Sequence, residues 1–504
     1  MVQKLAFVLS CILPLPALAQ DSGEVAYGPL FSKFDLTLSL GSRNEAAGPL
    51  YYSQESGSQR QWALPPFYCY TRTPDVDWTE SDIIYPIISY RRFGGQYRFQ
   101  FVQLFSFSGG QSFDENGVRL FTIFPFYFQQ RAPDTNLNYT ALLPFYGELK
   151  NRLFRDDIKF VMFPLYSETR KKDVVTDNYL YPFFDLRHGD GLKGWQFWPV
   201  FGVEHKVPTQ STNMLEVVET VGGFDKYFAA WPFYTRNRTG LGTTNVQTSL
   251  TVAPFYSHTQ SPERNETSYG WPLGYNAVDD RKKNFVEHDF IWPLFVFAQG
   301  EKRITRIFPF YSQSHISGAG SFPGFFDLSP ATNAPPPAPS DLESDFYLWP
   351  VYKFNRMATG TFERRRSRVL FFLYSDIHET NSASGDHFHR ADFWPFYTYH
   401  REVDGNQRWQ APALLEPFFP NNRSLTREYS QLWSFWRSEK NHKTGASSQS
   451  LFWNLYRREA TRQSRNFSLL FGLFQYQSGE EGSRWRVCHL TVAKKAAQTA
   501  APKS

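Results

Sequence analysis

Residues 163–201 read FPLYSETRKKDVVTDNYLYPFFDLRHGDGLKGWQFWPVF. Three copies of one short core stand in that stretch: Phe163-Pro164-Leu165-Tyr166, Tyr181-Pro182-Phe183-Phe184 and Trp198-Pro199-Val200-Phe201. Each is an aromatic residue, a proline, an apolar residue and a second aromatic or apolar one. The residues between them are polar, and Gly189-Asp190-Gly191 falls midway as a turn signal. Aromatic and β-branched residues favour a pleated sheet, and helical periodicity is nowhere sustained.

The core returns along the whole chain. It appears around Pro49, Pro66, Pro86, Pro125, Pro144, Pro232, Pro254, Pro272, Pro293, Pro309, Pro350, Pro395 and Pro417. Copies without the proline centre on Ser106, Phe372, Ser434, Asn454 and Gly472. Proline-equivalent positions recur about every twenty residues, which marks a repeat architecture. Further turn signals at Gly94-Gly95, Asn116-Gly117, Asp404-Gly405 and Gly479 to Gly482 alternate with the cores, the grammar of consecutive hairpins. The expectation is an all-β, antiparallel up-and-down meander of about 20–22 long strands, each roughly 12–15 residues with the aromatic-proline core at its middle. It predicts a closed β-barrel, because open twisted sheets rarely exceed about ten strands; a soluble β-sandwich or β-solenoid is the alternative.

The ends give a compartment. Residues 1–20, MVQKLAFVLSCILPLPALAQ, read as a signal peptide: a charged start, a short apolar run and Ala17-Leu18-Ala19 before the cut. Residues 21–490 then form one repeat-built β domain, with long loops near 202–222 and 312–342, and residues 491–504 form a polar tail. Removal of the leader takes Cys11 with it and leaves Cys69 and Cys488, which oxidising conditions permit either to pair or to remain thiols. The run SPATNAPPPAPS, residues 329–340, is expected to be an extended loop.

Aromatic residues make up 18% of the chain, yet mean hydropathy is −0.46, so apolar clusters lie within strongly polar flanks. A net charge of +5, with Lys and Arg spread through turns, gives no case for nucleic acid. No apolar run is long enough for a helical anchor.

With a signal peptide, a large meander and aromatic strand ends, the mature chain resembles, as a class, the outer-membrane β-barrels of Gram-negative bacteria. That resemblance implies an outer-membrane location, contact with outer-membrane lipid, insertion by the barrel-assembly machinery, and a non-catalytic channel, transport or envelope-structural role. A partial assembly signal sits at Gly482 and Trp485, with Val487 where an aromatic is usual. The alternative is a soluble periplasmic or secreted repeat protein that binds a partner or glycan through exposed aromatics. Two features set this chain apart from a simple porin. Around residues 290–297 both faces read as apolar, and more than a dozen prolines would leave a ring of missing ladder donors.

No catalytic or phosphate-binding motif occurs, and no catalytic residue, cofactor-binding residue, metal ligand or cofactor is assigned. The nearest approach to a metal cluster is Asp386, His387, His389 and Asp392, read as a solvated strand end beside Gly385. Glu204-His205 and His288-Asp289 read as surface pairs, and Arg364-Arg365-Arg366 as a charged strand edge that discourages aggregation.

Overall fold

A computed structural model describes residues 25–27, 30–110, 117–212, 218–270, 273–319, 340–420, 422–480, 482–488 and 490–496. The expected signal peptide of residues 1–20, the proline-rich run up to residue 339 and Pro272 lie outside the described residues. Forty-six strands follow one another from β1 (Val25–Tyr27) to β46 (Leu490–Ala496). Forty-four of them form a single antiparallel sheet in which each strand pairs with its neighbours in the chain. The other two, β21 (Thr209–Thr212) and β22 (Val218–Val221), form a small hairpin, so the segment expected as a long loop at 202–222 carries strand structure. Near 312–342, too, strand replaces loop at both ends: β32 (Tyr311–Ala319) and β33 (Ser340–Tyr347) run into it.

The all-β antiparallel meander stands as read, but the strands are twice as many and half as long as the repeat suggested. They run three to nine residues, mostly five to eight. Each repeat folds into two strands because the proline core is a turn, not a strand centre. At Met162-Phe163-Pro164-Leu165 the Leu165 N–H bonds the Met162 carbonyl at 2.8 Å, and the Phe163–Pro164 peptide is cis. That is a reversal with cis proline at its third position. Thirteen prolines of the repeat take this form. Where proline is replaced, as at Leu370 to Leu373 and Leu470 to Leu473, the chain still turns back, with left-handed residues in place of the cis bond. Residues 291–294 therefore belong to neither face of a strand, which removes the appearance of two apolar faces.

The missing donors are also accounted for. Each proline turn bonds its neighbour: Tyr181 N–H to the Pro164 carbonyl at 2.7 Å, Trp231 to Pro199 at 2.6 Å, Trp349 to Pro309 at 2.7 Å. The proline carbonyl is the acceptor at Pro144, Pro164, Pro199, Pro309 and Pro395, and the residue after the proline accepts at others, as Phe183 does from Trp198. The proline itself sits where no ladder donor is required.

The repeat breaks once in a way its spacing hides. Strand β39 (Gln407–Ala411) pairs directly with β40 (Trp436–Lys440), and the 24 residues between them, 412–435, leave the sheet. They carry two short helices, α1 (Arg423–Glu428) and α2 (Ser430–Trp433). Asn422 caps α1, its side-chain oxygen accepting the Leu425 N–H at 3.1 Å. The cores centred on Pro417 and Ser434 thus belong to this insertion and not to hairpins.

Candidate functional site: an apolar face and rim, and a polar seam

Strand pairing lines up one residue per strand into a single row. From Leu64 it passes by direct cross-strand pairs through Tyr68, Ile83, Ile88, Phe101, Phe105, Ile123 and Tyr127. It continues through Leu142, Tyr146, Val161, Tyr166, Tyr179, Phe184, Phe197 and Phe201. Ala229, Tyr234, Val252, Tyr256, Tyr269, Tyr275, Phe290 and Phe295 follow. Ile307, Tyr311, Tyr347, Tyr352, Val369, Tyr374, Phe393 and Tyr397 complete it. No polar or charged aliphatic side chain interrupts these thirty-two positions. The partners stand directly opposite, so the row crosses the strands at right angles and its rings touch: Tyr166 and Tyr179 at 5.3 Å, Tyr275 and Phe290 at 4.9 Å.

The row lies beside the proline turns, and the residue after each proline extends the apolar surface past it. Phe126, Phe145, Phe233 and Phe310 are all exposed, and Phe255 is 74% accessible. The sheet has an apolar rim at its proline edge. At the other edge most hairpins are polar, as at Arg170 to Asp173 and Arg187 to Asp190, with Leu153 and Phe154 an exposed apolar exception.

The two faces differ as sharply as the two rims. One carries the row and its exposed aromatics. The opposite face buries Ser167, Asn178, Asp185, Ser268, Asp289, Ser312 and Ser375, with ion pairs such as Arg390–Asp392 at 2.8 Å. That opposite face is mostly polar and the more buried of the two, an inversion of ordinary globular order, with apolar clusters such as Tyr139, Ala141, Leu149 and Phe160 set into it.

Hydrogen bonds between residues far apart in the sequence gather at one place, a seam between the first strands and the last. Strands from β2 (Phe31–Asp35) to β7 (Trp78–Ile83) turn their polar face toward β40 to β42 (Tyr456–Ala460), with α1 and α2 between. Thr37 Oγ1 donates to Ser448 Oγ at 2.6 Å, and Asn454 Nδ2 to Glu45 at 2.7 Å. The Arg457 guanidinium lies 3.4 Å from the centroid of the Phe34 ring. Arg427 on α1 reaches Glu80 at 2.7 Å and Asp82 at 3.4 Å, while its carbonyl accepts from the Tyr52 hydroxyl at 2.9 Å. Burial works against the Arg427 charge, but the Glu80 carboxylate outweighs it and raises its pKa. Glu428 accepts the Tyr85 N–H at 3.1 Å and is otherwise enclosed; burial pushes its carboxyl up to about 7. No pairing joins β1 to β46 among the described residues. The contacts across the seam are made by side chains and not by strand pairing. The 29 main-sheet strands from β8 (Ile88–Phe93) to β38 (Tyr397–Arg401) bridge the two sides, a perimeter of roughly 140 Å at about 4.8 Å per strand.

The residues singled out in the sequence are distributed as follows. Cys69 is buried on the polar face and Cys488 exposed; both are thiols, and they do not pair. Glu204 joins Arg187, and His205 joins Asp225. His288 bonds the Tyr275 hydroxyl at 2.7 Å, while Asp289 faces the other way, to Asn276. Arg364 pairs with Glu379 at 3.2 Å and Arg365 with Glu363 at 3.0 Å, while Arg366 is on the polar face, where burial and the neighbouring arginines lower its pKa. The Asp386–Asp392 group divides: Asp392 is on the polar face, held by Arg390 and Thr398, while His387 and His389 share the aromatic face. Directly opposite His389 stands His378, with Asp376 beside both. Counting back from the Gly385 turn would have found that pairing. Comparison with known proteins finds no matching family model and no matching curated protein.

Proposed function

We propose that this chain is an exported, non-catalytic envelope protein that seats its aromatic face and proline rim in the outer membrane, where its role is structural. The observation that carries the reading is the unbroken row of thirty-two apolar positions lying beside an exposed apolar rim. Water offers such a surface no partner, and contiguous apolar patches of this extent mark membrane or protein contact. Lipid also demands that backbone groups be satisfied, and the bonds between successive proline turns supply that at the rim.

Strand length sets the depth. Six residues rise about 20 Å, whereas the hydrocarbon core is about 30 Å and a spanning strand needs about 9–11 tilted residues. A band this short, apolar at one rim and polar at the other, suits a single leaflet, with the proline rim toward the midplane and the hairpin rim at water. The barrel-assembly machinery is the expected insertion partner of such a chain.

Tryptophan fluorescence in vesicles of brominated lipid tests the reading. Single-tryptophan variants keep either Trp198 at the proline rim or Trp78 at the polar rim. Bromines near the acyl-chain end should quench Trp198 strongly and Trp78 weakly. Equal, shallow quenching of both would mean a full span, and no quenching of either would mean a soluble repeat protein.

A further inference from the structure

Strand β36 (Tyr374–Asn381) and strand β37 (Asp386–Phe393) form one of the longer hairpins, each eight residues against the usual five or six. The added length lies toward the polar rim. His378 is four residues beyond Tyr374 of the apolar row, about 13 Å away along the strand. Three of the eleven histidines of the chain, His378, His387 and His389, share one face of this hairpin.

Their arrangement is that of a chelate. His378 and His389 are directly opposite, rings nearly parallel at 3.9 Å between centroids. Asp376 touches both, 2.8 Å to His389 Nε2 and 3.3 Å to His378 Nε2. One donor atom from each of the three lies within 4.8 Å of the others. Donors of a tetrahedral site with bonds of about 2.0–2.1 Å stand roughly 3.3 Å apart, close to these separations. The His387 ring is 5.8 Å from that of His378, and its buried Nδ1 makes no hydrogen bond. The His389 ring is further fixed by the edge of Tyr399, 5.2 Å away.

We infer that Asp376, His378 and His389, with His387 as the fourth donor after rotation of its side chain, form a site for a divalent transition metal of the zinc or copper class. Imidazole with one carboxylate suits these ions and not the oxygen-seeking calcium or magnesium. A cation there clips β36 to β37 on the water side of the apolar row. The inference does not depend on membrane insertion, since the donors belong to one hairpin.

The test uses the full chain folded in detergent and titrated with Co²⁺ and then Zn²⁺. One equivalent of Co²⁺ should give visible absorption of a four-coordinate centre, displaced by one equivalent of Zn²⁺. His378→Asn and His389→Asn should each weaken binding at least tenfold and the double variant abolish it, while His442→Asn binds as the parent does. X-ray absorption on the unaltered zinc form should give nitrogen and oxygen ligands at about 2.0–2.1 Å with imidazole scattering, so a variant that fails to fold leaves the site testable. Absence of saturable Co²⁺ or Zn²⁺ binding to the unaltered chain, or undiminished binding in a folded double variant, would overturn the inference.

Discussion

The ribbon and the seam are held in opposite ways. Along the ribbon each strand meets its chain neighbours, and the same kind of contact recurs: row residue on row residue, turn carbonyl on the next turn's N–H. At the seam nothing repeats. Arg427 meets Glu80, Glu428 and Tyr429 both hold the Tyr85 backbone, Asn454 meets Glu45 and Arg457 meets Phe34, every partner hundreds of residues away. A repeated contact is redundant, so losing one costs little; a single contact has no substitute. The ribbon resembles a solenoid in its nearest-neighbour energetics, and the seam alone sets where the ends stop.

The sharpest way to break this contrast is Arg427→Ala. It leaves Asp82 buried without its cation and Glu80 with Arg91 alone, a loss of about 3–5 kcal/mol. Denaturant unfolding in detergent should register that loss, and limited proteolysis should find new cuts within 412–435. An unchanged midpoint would mean the seam contributes nothing.

Glu428 supplies the next effect, with the opposite sign. Its folded pKa, about 7, lies above the ordinary 4.5, so the folded chain holds a proton that the unfolded chain releases. Stability therefore falls as pH rises from about 4.5 to about 7 and levels off above it. The groups facing the carboxyl are the Tyr85 N–H, Asp82, Glu80 and Arg427, two of them anions that add to the penalty. Glu428→Gln keeps an oxygen for Tyr85 and removes the charge. It should stabilise the seam at pH 8 by up to ~3 kcal/mol and flatten the pH dependence, as read by unfolding midpoints at pH 5 and pH 8.

On the ribbon the same measurements should move less. Tyr179→Ala removes ring contacts to Tyr166 at 5.3 Å and Phe184 at 5.9 Å, each worth about 0.2–1 kcal/mol. A loss of about 1 kcal/mol, clearly below that of Arg427→Ala, supports redundancy; an equal loss contradicts it.

The smallest effect on stability belongs to the rim. Phe145 is half exposed and packs little, so Phe145→Ser should leave the unfolding midpoint within about 0.5 kcal/mol. Its consequence belongs instead to the lipid. Phe126→Ser, Phe145→Ser and Phe233→Ser together should lower partition into vesicles severalfold, measured by flotation.

The division between what could and could not be read follows the same line. The period of twenty, the sheet and the antiparallel order were legible because Pro164, Pro182 and Pro199 recur within one hundred residues of similar sequence. The strand count was misread through the proline itself. A residue that cannot give a ladder hydrogen bond belongs at a turn, and the aromatic residues around it obscured that rule. The seam left one faint mark, an Asn422 cap where a hairpin should have begun. The metal cluster was half visible, since His387 and His389 share a strand face but Asp376 and His378 enter only when the hairpin closes.

By itself the sequence determined a β meander of repeated units and a chain rich in aromatics around prolines, because these are properties of neighbours along the chain. Tertiary structure alone decided that the prolines form a level rim, that the polar face turns inward and that Arg427 meets Glu80. Register is fixed by hairpin geometry and accumulates over dozens of strands, so no local stretch records where the row runs or where the ends of the ribbon meet.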